Sequence, residues 1–425
     1  MKRKLIAAIG VAGMLFSVAA CGDDGGDSGK SAGPDSFKGQ TLVVWTMDGS
    51  APADWTKDVQ AAFEKKTGAK VEFETQKWDG IQQKVTTALS ETNPPDVIEI
   101  GNTQTPAYAA TGGLAELEDL KKEIGAEWTD SVNQSSIFEG KQYAAPWYFA
   151  NRVVIYNKKI WAEAGIKDTP KTRDEFFEAL ETIDKKTDAE PIYMPGQNWY
   201  FFDGLIIGQG ADLVKKDGDT YVSNLADPKV TAAMEIYKKY ASFSTAPKDK
   251  DEATPQQAEV FAKGKTGAFI GMGWEAATAV AANKAIEKDL GYFTIPGETA
   301  DKPEGVFLGG SNLAVAAGSE KQELAKEFLK ITLSDTYEGA LAKANGVIPN
   351  KKSLESNLAG NAVAEAAAPA AAVGGTTPLI PQWAAVENTP NPIKAYMTAV
   401  LKGKAPADAA KDIESEINER LAQEN

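Results

Sequence analysis

The chain has 425 residues, of which 43% are hydrophobic, and a formal net charge of -15. This length exceeds one ordinary core, so we expect two lobes, and the negative charge argues against nucleic-acid partners because phosphate backbones would repel it. The chain has no histidine and a single cysteine, Cys21, which excludes histidine-based catalysis and disulfides.

The N-terminus has the pattern of an export signal. Residues 2–4 are basic and residues 5–16 form an apolar stretch that is too short to span a membrane. The run Val18-Ala19-Ala20-Cys21-Gly22 resembles the lipobox of bacterial lipoproteins, in which the cysteine is lipidated. We therefore predict a signal peptide at 1–20 and a lipidated Cys21 with a flexible tether at 21–37, rich in Gly, Asp and Ser. A free thiol in an ordinary signal peptide stays the alternative.

Strand and helix patterns alternate at the start of the mature chain. Thr41 to Trp45, Lys70 to Glu74 and Asp96 to Ile100 have strand character, and helical spacing of apolar residues lies between them. The order β-α-β-α-β predicts right-handed crossovers and a parallel sheet. Ligands in such sheets bind beyond the carboxyl ends of the strands, where polar, glycine and aromatic residues follow here.

A second α/β segment follows. Val153 to Asn157 and Gly267 to Ile270 are strand-like, and a helix is predicted to begin near Thr172. The run Phe307 to Val315 carries two adjacent glycines, which would weaken a plain strand, so we interpret it as a hinge or crossover. The last helix is predicted over about Pro406 to Ala422.

Five of the nine tryptophans lie in apparent loops, beside glycine, proline, asparagine or tyrosine. A sugar ring has faces of C–H groups and a rim of hydroxyls, so a flat indole suits its face while polar side chains bond its rim. Packing in a core is the alternative for any single tryptophan. As a set, the five predict a carbohydrate cleft.

Two catalytic or nucleotide-binding alternatives have weak signals. Gly271 to Ala276 matches a loose dinucleotide fingerprint, but the bulky Trp274 follows its second glycine. Several carboxylates could serve a glycosidase, yet with 60 acidic residues no spacing marks a pair. The sequence has no Walker loop, calcium loop or zinc pattern, so we expect no metal and no cofactor.

Seven short runs in order carry a resemblance to a known family: Leu42–Trp45, Asn93–Val97, Gly112–Leu117, Tyr143–Pro146, Ile155–Lys158, Pro170–Phe176 and Gly309–Asn312. From about Thr41 onward the chain resembles the family 1 extracellular solute-binding proteins of carbohydrate ABC transporters. That resemblance implies an α/β, two-lobed, periplasmic-binding-protein-like (type II) fold, each lobe a mainly parallel sheet flanked by helices and joined by hinge crossovers. It implies lobe 1 at 38–148 and 311–355, and lobe 2 at 149–310 and 356–425.

Two further runs, Trp78–Lys84 and Gly101–Tyr108, are similar to the chitobiose- and chitooligosaccharide-binding members of actinobacteria. Relatives with similar frames bind maltose, cellobiose or xylobiose. By position, the resemblance implies that the tryptophans stack on the sugar and that the polar groups bond its hydroxyls. The implied cleft residues are Asp48, Trp78, Asn102, Trp147, Asn198, Trp199, Trp274, Gly310, Ser311 and Trp383.

The implied function is capture of an oligosaccharide outside the cell and its delivery to the transmembrane subunits of an ABC permease. We expect a monomer that is not an enzyme, held at the outer face of the cell membrane by its lipid alone. The alternatives are a lipid-anchored glycoside hydrolase, a binding protein for maltose or cellobiose, and a purely structural surface protein.

Overall fold

The computed structural model describes residues 37–423. The predicted signal peptide, Cys21 and the tether up to residue 36 lie outside this range. Among the described helices, none combines the length and the apolar character needed to cross a membrane.

Short strands and helices alternate along the described chain. The strands are β1 (Thr41–Met47), β2 (Lys70–Gln76), β3 (Val97–Gly101), β4 (Ile137–Phe138), β5 (Lys141–Gln142), β6 (Ala144–Ala150), β7 (Val153–Asn157), β8 (Val214–Asp217), β9 (Thr220–Ser223), β10 (Ala268–Gly271), β11 (Leu290–Phe293), β12 (Pro296–Thr299), β13 (Lys302–Pro303), β14 (Gly309–Val315) and β15 (Ile348–Pro349).

The helices are α1 (Ala53–Thr67), α2 (Ile81–Leu89), α3 (Thr105–Ala110), α4 (Glu118–Glu123), α5 (Asp130–Asn133), α6 (Lys158–Glu163), α7 (Arg173–Lys186), α8 (Trp199–Gly208), α9 (Pro228–Ala241), α10 (Gln257–Ala262), α11 (Gly273–Ala282), α12 (Gln322–Thr332), α13 (Asp335–Asn345), α14 (Ala362–Ala371), α15 (Trp383–Glu387), α16 (Pro392–Leu401) and α17 (Pro406–Leu421).

The first lobe is built on a six-stranded sheet of order β15-β6-β14-β3-β1-β2. The predicted parallel pairing of its first three strands is confirmed, since β1 runs parallel to both β2 and β3. Helix α1 buries Trp55, Val59 and Phe63 against this sheet, and it ends at Gly68, whose φ of 70° gives a left-handed cap. The carboxyl ends of β1, β2 and β3 therefore share one edge.

The second lobe is built around the three-stranded sheet β10-β7-β11. The sequence prediction of a mainly parallel sheet is wrong here, because β10 and β11 both pair antiparallel with β7. It is wrong for the first lobe too, where β14 pairs antiparallel with β3 and β6, and β15 with β6. Strand β7 leads away from the first lobe, and the two strands beside it run back toward it. The direction of each strand depends on the end of the sheet to which the preceding connection returns the chain. The spacing of apolar residues does not encode that.

Two of the segments that connect the lobes lie side by side. Strand β6 ends at Ala150 and β7 begins at Val153, while β14 begins at Gly309, which is paired with Ala150. A side chain at Gly310 would come within 2.2 Å of the Tyr148 carbonyl oxygen, so this close approach requires glycine. The crossovers predicted near residues 147–152 and 307–311 correspond to these segments. The lobe boundaries themselves stay a prediction.

Candidate ligand-binding site

Loops from both lobes lie beside the crossing segments, and the region between these loops is termed the gap. In the first lobe these loops follow the carboxyl ends of β1, β2 and β3. They lie at the edge of the sheet where β6 ends and β14 begins. In the second lobe β10 ends at Gly271, which is paired with Val153 at the start of β7. The chain after β10 therefore emerges on the side that faces the first lobe.

Two indoles remain open to solvent at these facing edges. Trp78 is 46% exposed and Trp274 is 48% exposed. With Val373, they are the large hydrophobic side chains that residues 37–423 leave exposed. The Trp78 indole lies over Gly101, 3.6 Å from where a Cβ atom of that residue would stand. An exposed indole on each side of a gap is typical of a ligand-binding surface.

The first turn of α11 holds Trp274 in place. The neighbouring Glu275 accepts a hydrogen bond from the Met272 backbone N–H at 2.7 Å, and Gln257 Nε2 donates to its other oxygen at 2.8 Å. Burial raises the pKa of Glu275 to about 7. This capping arrangement fixes the turn that presents the indole.

The other three tryptophans predicted for the cleft have no exposed ring face. Trp147 is fully buried in the core of the first lobe, with its ring 5.6 Å from that of Trp55. Trp383 is also fully buried, and Trp199 is 4% exposed with its ring 6.3 Å away. In this arrangement none of the three presents a ring face on which a ligand could stack.

The predicted polar residues divide in the same way. Asp48 is exposed directly after β1. Asn102 instead holds the crossover, since its Nδ2 donates to the Leu308 carbonyl oxygen at 2.9 Å and its Oδ1 accepts from the Gly310 N–H at 3.3 Å. Asn198 is buried and caps α8 by accepting from the Phe201 N–H.

Ser311, also predicted for the cleft, is fully buried and donates its hydroxyl to Glu99 at 2.6 Å. Gly310, beside it in β14, keeps partial exposure, but its carbonyl oxygen is occupied by the Asn102 N–H at 3.0 Å. Gly310 therefore acts through its backbone, and Ser311 through its hydroxyl.

Sequence reasoning missed a group of residues around Tyr200. Its ring stacks on Phe307 with centroids 4.4 Å apart, and the Arg152 guanidinium lies 5.5 Å from the ring centre. The Tyr200 hydroxyl donates to Glu387 of α15. Arg152 also pairs with Glu252 at 2.7 Å. The sequence interpretation concentrated on Trp199, and no pattern marked its neighbour Tyr200.

The lobes touch beside this group. Gln82 Nε2 of the first lobe donates to the Ala384 carbonyl oxygen at 3.3 Å. Burial raises the pKa of Glu387, and the hydroxyls of Tyr200 and Thr103 oppose the rise. Thr103 belongs to the loop after β3, so the Glu387 carboxyl lies close to both lobes.

The buried Asp203 of α8 predicts how stability depends on pH. Burial, with smaller contributions from Asp212 and Glu387, raises its pKa to about 8 from an ordinary value of 3.8. Between those values the folded protein keeps a proton that the unfolded chain has released, so this group's contribution to stability falls as pH rises. Asp203→Asn should match the native protein near pH 4 and exceed its unfolding free energy at pH 8 by about 1 kcal/mol or more.

Urea unfolding across this pH range checks the prediction, with Asp184→Asn on the exposed face of α7 as the control. The difference between Asp203→Asn and the native protein should grow with pH, while that for the control should stay flat. A constant difference for Asp203→Asn would contradict the prediction.

Three kinds of similarity to known proteins bear on the family and the fold. The family model described as bacterial extracellular solute-binding protein matches residues 48–339. The chain is 74% identical over 424 residues to the diacetylchitobiose binding protein DasA of Streptomyces coelicolor, covering 100% of both chains. It is 26% identical to a galactooligosaccharide-binding protein of Bacillus subtilis, covering 94% of this chain and 93% of that protein.

Among solved structures, the GacH receptor of Streptomyces glaucescens, studied unliganded and with acarbose, superimposes with a TM-score of 0.77 at 23% identity. The match covers 91% of this chain and 99% of that chain. This likeness shows the fold, so the predicted two-lobed type II architecture is confirmed.

Proposed function

The chain belongs to the bacterial extracellular solute-binding protein family, and on this premise we propose that it captures diacetylchitobiose in the gap between its lobes. The protein is a binding protein and not an enzyme, so the hydrolase alternative is set aside. The observation that carries the proposal is the pair of exposed indoles, Trp78 and Trp274, one on each facing edge of a chain 74% identical to a diacetylchitobiose binding protein.

Each lobe contributes a flat apolar platform, because an indole can cover the C–H face of a sugar ring. The exposed Asp48 carboxylate directly after β1 can accept hydrogen bonds from sugar hydroxyl groups. Closure of the lobes adds contacts that only a fitting sugar makes, so binding shifts the protein toward the closed form. We propose that this closed form docks on an ABC permease.

Calorimetry with four sugars tests the ligand. Diacetylchitobiose should bind at about micromolar Kd or tighter, near -8 kcal/mol. Cellobiose has the same linkage without acetamido groups and is the matched control; it should bind at least about 100-fold more weakly, because acetamido partners would be left unpaired. Maltose and a galactooligosaccharide complete the set. Preference for either of these over diacetylchitobiose would overturn the assignment.

We also propose that Cys21 is lipidated after removal of residues 1–20, which would hold a monomer at the outer face of the membrane. The support is the lipobox-like run ending at Cys21, the one cysteine of the sequence. A Cys21→Ser variant should then appear in the culture medium instead of the membrane fraction, since the acyl chains supply the anchoring free energy. An unchanged membrane fraction would contradict the anchor.

A further inference from the structure

Glu99 of β3 is a fully buried carboxylate that receives four hydrogen bonds. Its Oε2 accepts from the Met47 backbone N–H at 2.6 Å. Its Oε1 accepts from the hydroxyls of Ser50 at 2.7 Å, Tyr148 at 2.9 Å and Ser311 at 2.6 Å. Ser50 Oγ and Tyr148 Oη also lie 2.8 Å apart, so either hydroxyl could donate to the other as an alternative to Glu99. One side chain thus organises a closed polar network.

The four donors come from three segments that border the gap. Met47 and Ser50 flank Asp48 in the loop after β1, Tyr148 lies in β6 shortly before the first crossing, and Ser311 lies in β14 shortly after the second. The binding loop and both crossing strands are therefore tied to a single group. A shift of either crossing strand would have to stretch bonds to the same carboxylate that holds the loop.

The network also lies under the Trp78 platform. Ser311 is paired with Gly101 across β14 and β3, and the Trp78 indole rests over Gly101. The residues that Glu99 binds are thus one strand position away from an exposed indole of the gap.

A carboxylate at this position is costly for stability alone. Burial raises the pKa of Glu99, and the four donors oppose that rise. Packed apolar side chains commonly stabilise a core as well as or better than buried charges do, whereas charged networks fix one arrangement of the groups they join.

We propose that Glu99 is a positioning residue for ligand binding, which holds the Asp48 loop and both crossing strands in the one arrangement that lets the lobes close on a sugar. The proposal rests on the proposed function. Glu99 itself is out of reach of any ligand, so it acts through Met47, Ser50, Tyr148 and Ser311.

The test compares Glu99→Gln with Asp96→Asn, a matched change at the other end of β3. Asp96 is also buried and accepts from the Val43 N–H at 2.8 Å and the Ser319 hydroxyl at 2.6 Å, but it lies at the amino end of the strand, away from the gap. Both variants should lower Tm. Glu99→Gln alone should raise the Kd for diacetylchitobiose by about tenfold or more, because it replaces an acceptor with an amide that faces donors.

If Glu99→Gln does not fold, two milder variants can test the same proposal. Tyr148→Phe and Ser50→Ala each remove one donor and leave the carboxylate in place. Each should raise Kd by about threefold, and the two together should not act independently, because both donors share Oε1. Unchanged affinity in folded Glu99→Gln, or in the Tyr148→Phe, Ser50→Ala double variant, would overturn the proposal.

A readout without sugar separates this proposal from the proposed function. Amide hydrogen exchange should quicken in segments 47–50 and 309–311 of Glu99→Gln, and near residues 43 and 319 of Asp96→Asn. If the native protein binds none of the sugars, the proposed function fails. Hydrogen exchange would still show whether Glu99 holds the Asp48 loop and the crossing strands in place. Quickening confined to β3 in Glu99→Gln would overturn the positioning role even in a protein that binds diacetylchitobiose.

Discussion

Trp78→Ala is expected to raise the Kd for diacetylchitobiose by about 30-fold or more, and Trp274→Ala to do the same. Indoles that stack on a ligand at the centre of a site commonly contribute about 2 kcal/mol or more when truncated. Both side chains are about half exposed in the free protein, so their removal should change the unfolding free energy little. Calorimetry for affinity and urea unfolding for stability measure the two effects separately.

Substitution by phenylalanine at the same positions is the graded control, because a smaller ring keeps part of the stacked area. Val373→Ala is the matched control for exposed apolar surface, since Val373 is 41% exposed and is assigned no ligand contact. Affinity should fall in the order native, phenylalanine, alanine and stay unchanged in Val373→Ala. A Kd for Trp78→Ala equal to that of the native protein would mean that the Trp78 indole does not contact the sugar.

Trp147→Ala should lower the unfolding free energy by about 3–5 kcal/mol, the range found when large buried aromatic side chains are truncated. The Trp147 side chain is fully buried, and its ring lies 5.6 Å from that of Trp55 and 5.2 Å from that of Tyr148. Its loss would leave a cavity in the core of the first lobe.

Urea unfolding followed by circular dichroism measures this change in the first-lobe transition, with Trp147→Phe as a control that refills part of the space. The phenylalanine variant should recover a large share of the lost stability. If Trp147→Ala were as stable as the native protein but no longer bound sugar, the ring would belong to the gap and the packing described for the first lobe would be wrong.

The sequence predicted the order of strands and helices at the start of the first lobe well, because the patterns that indicate them involve residues close together in the chain. The apolar stripe of α1, the glycine that ends it and the alternation of strands with helices all depend on neighbouring residues, and each is found in the structure. Strand direction in the second lobe was predicted wrongly because it depends on long connections.

The exposure of individual tryptophans could not be predicted for a related reason. Every residue of β6 is buried, because β14 and β15 flank it and both of its faces are covered. Trp147 therefore lies in a strand without the alternation that would show which side faces solvent. Among 60 acidic residues the sequence offered Glu99 only as one of several candidate glycosidase carboxylates, and it did not mark Glu387. The surroundings of both come from groups distant in sequence that the fold brings to them.

A crystal structure with diacetylchitobiose would show where the sugar binds. We predict sugar rings between the lobes, with Trp78 against one face and Trp274 against another, and a hydrogen bond from a sugar hydroxyl to Asp48. A sugar seated instead in the hollow on the outer surface of the second lobe, which Lys215, Tyr221 and Ile380 line, with both indoles free of contact, would contradict this prediction.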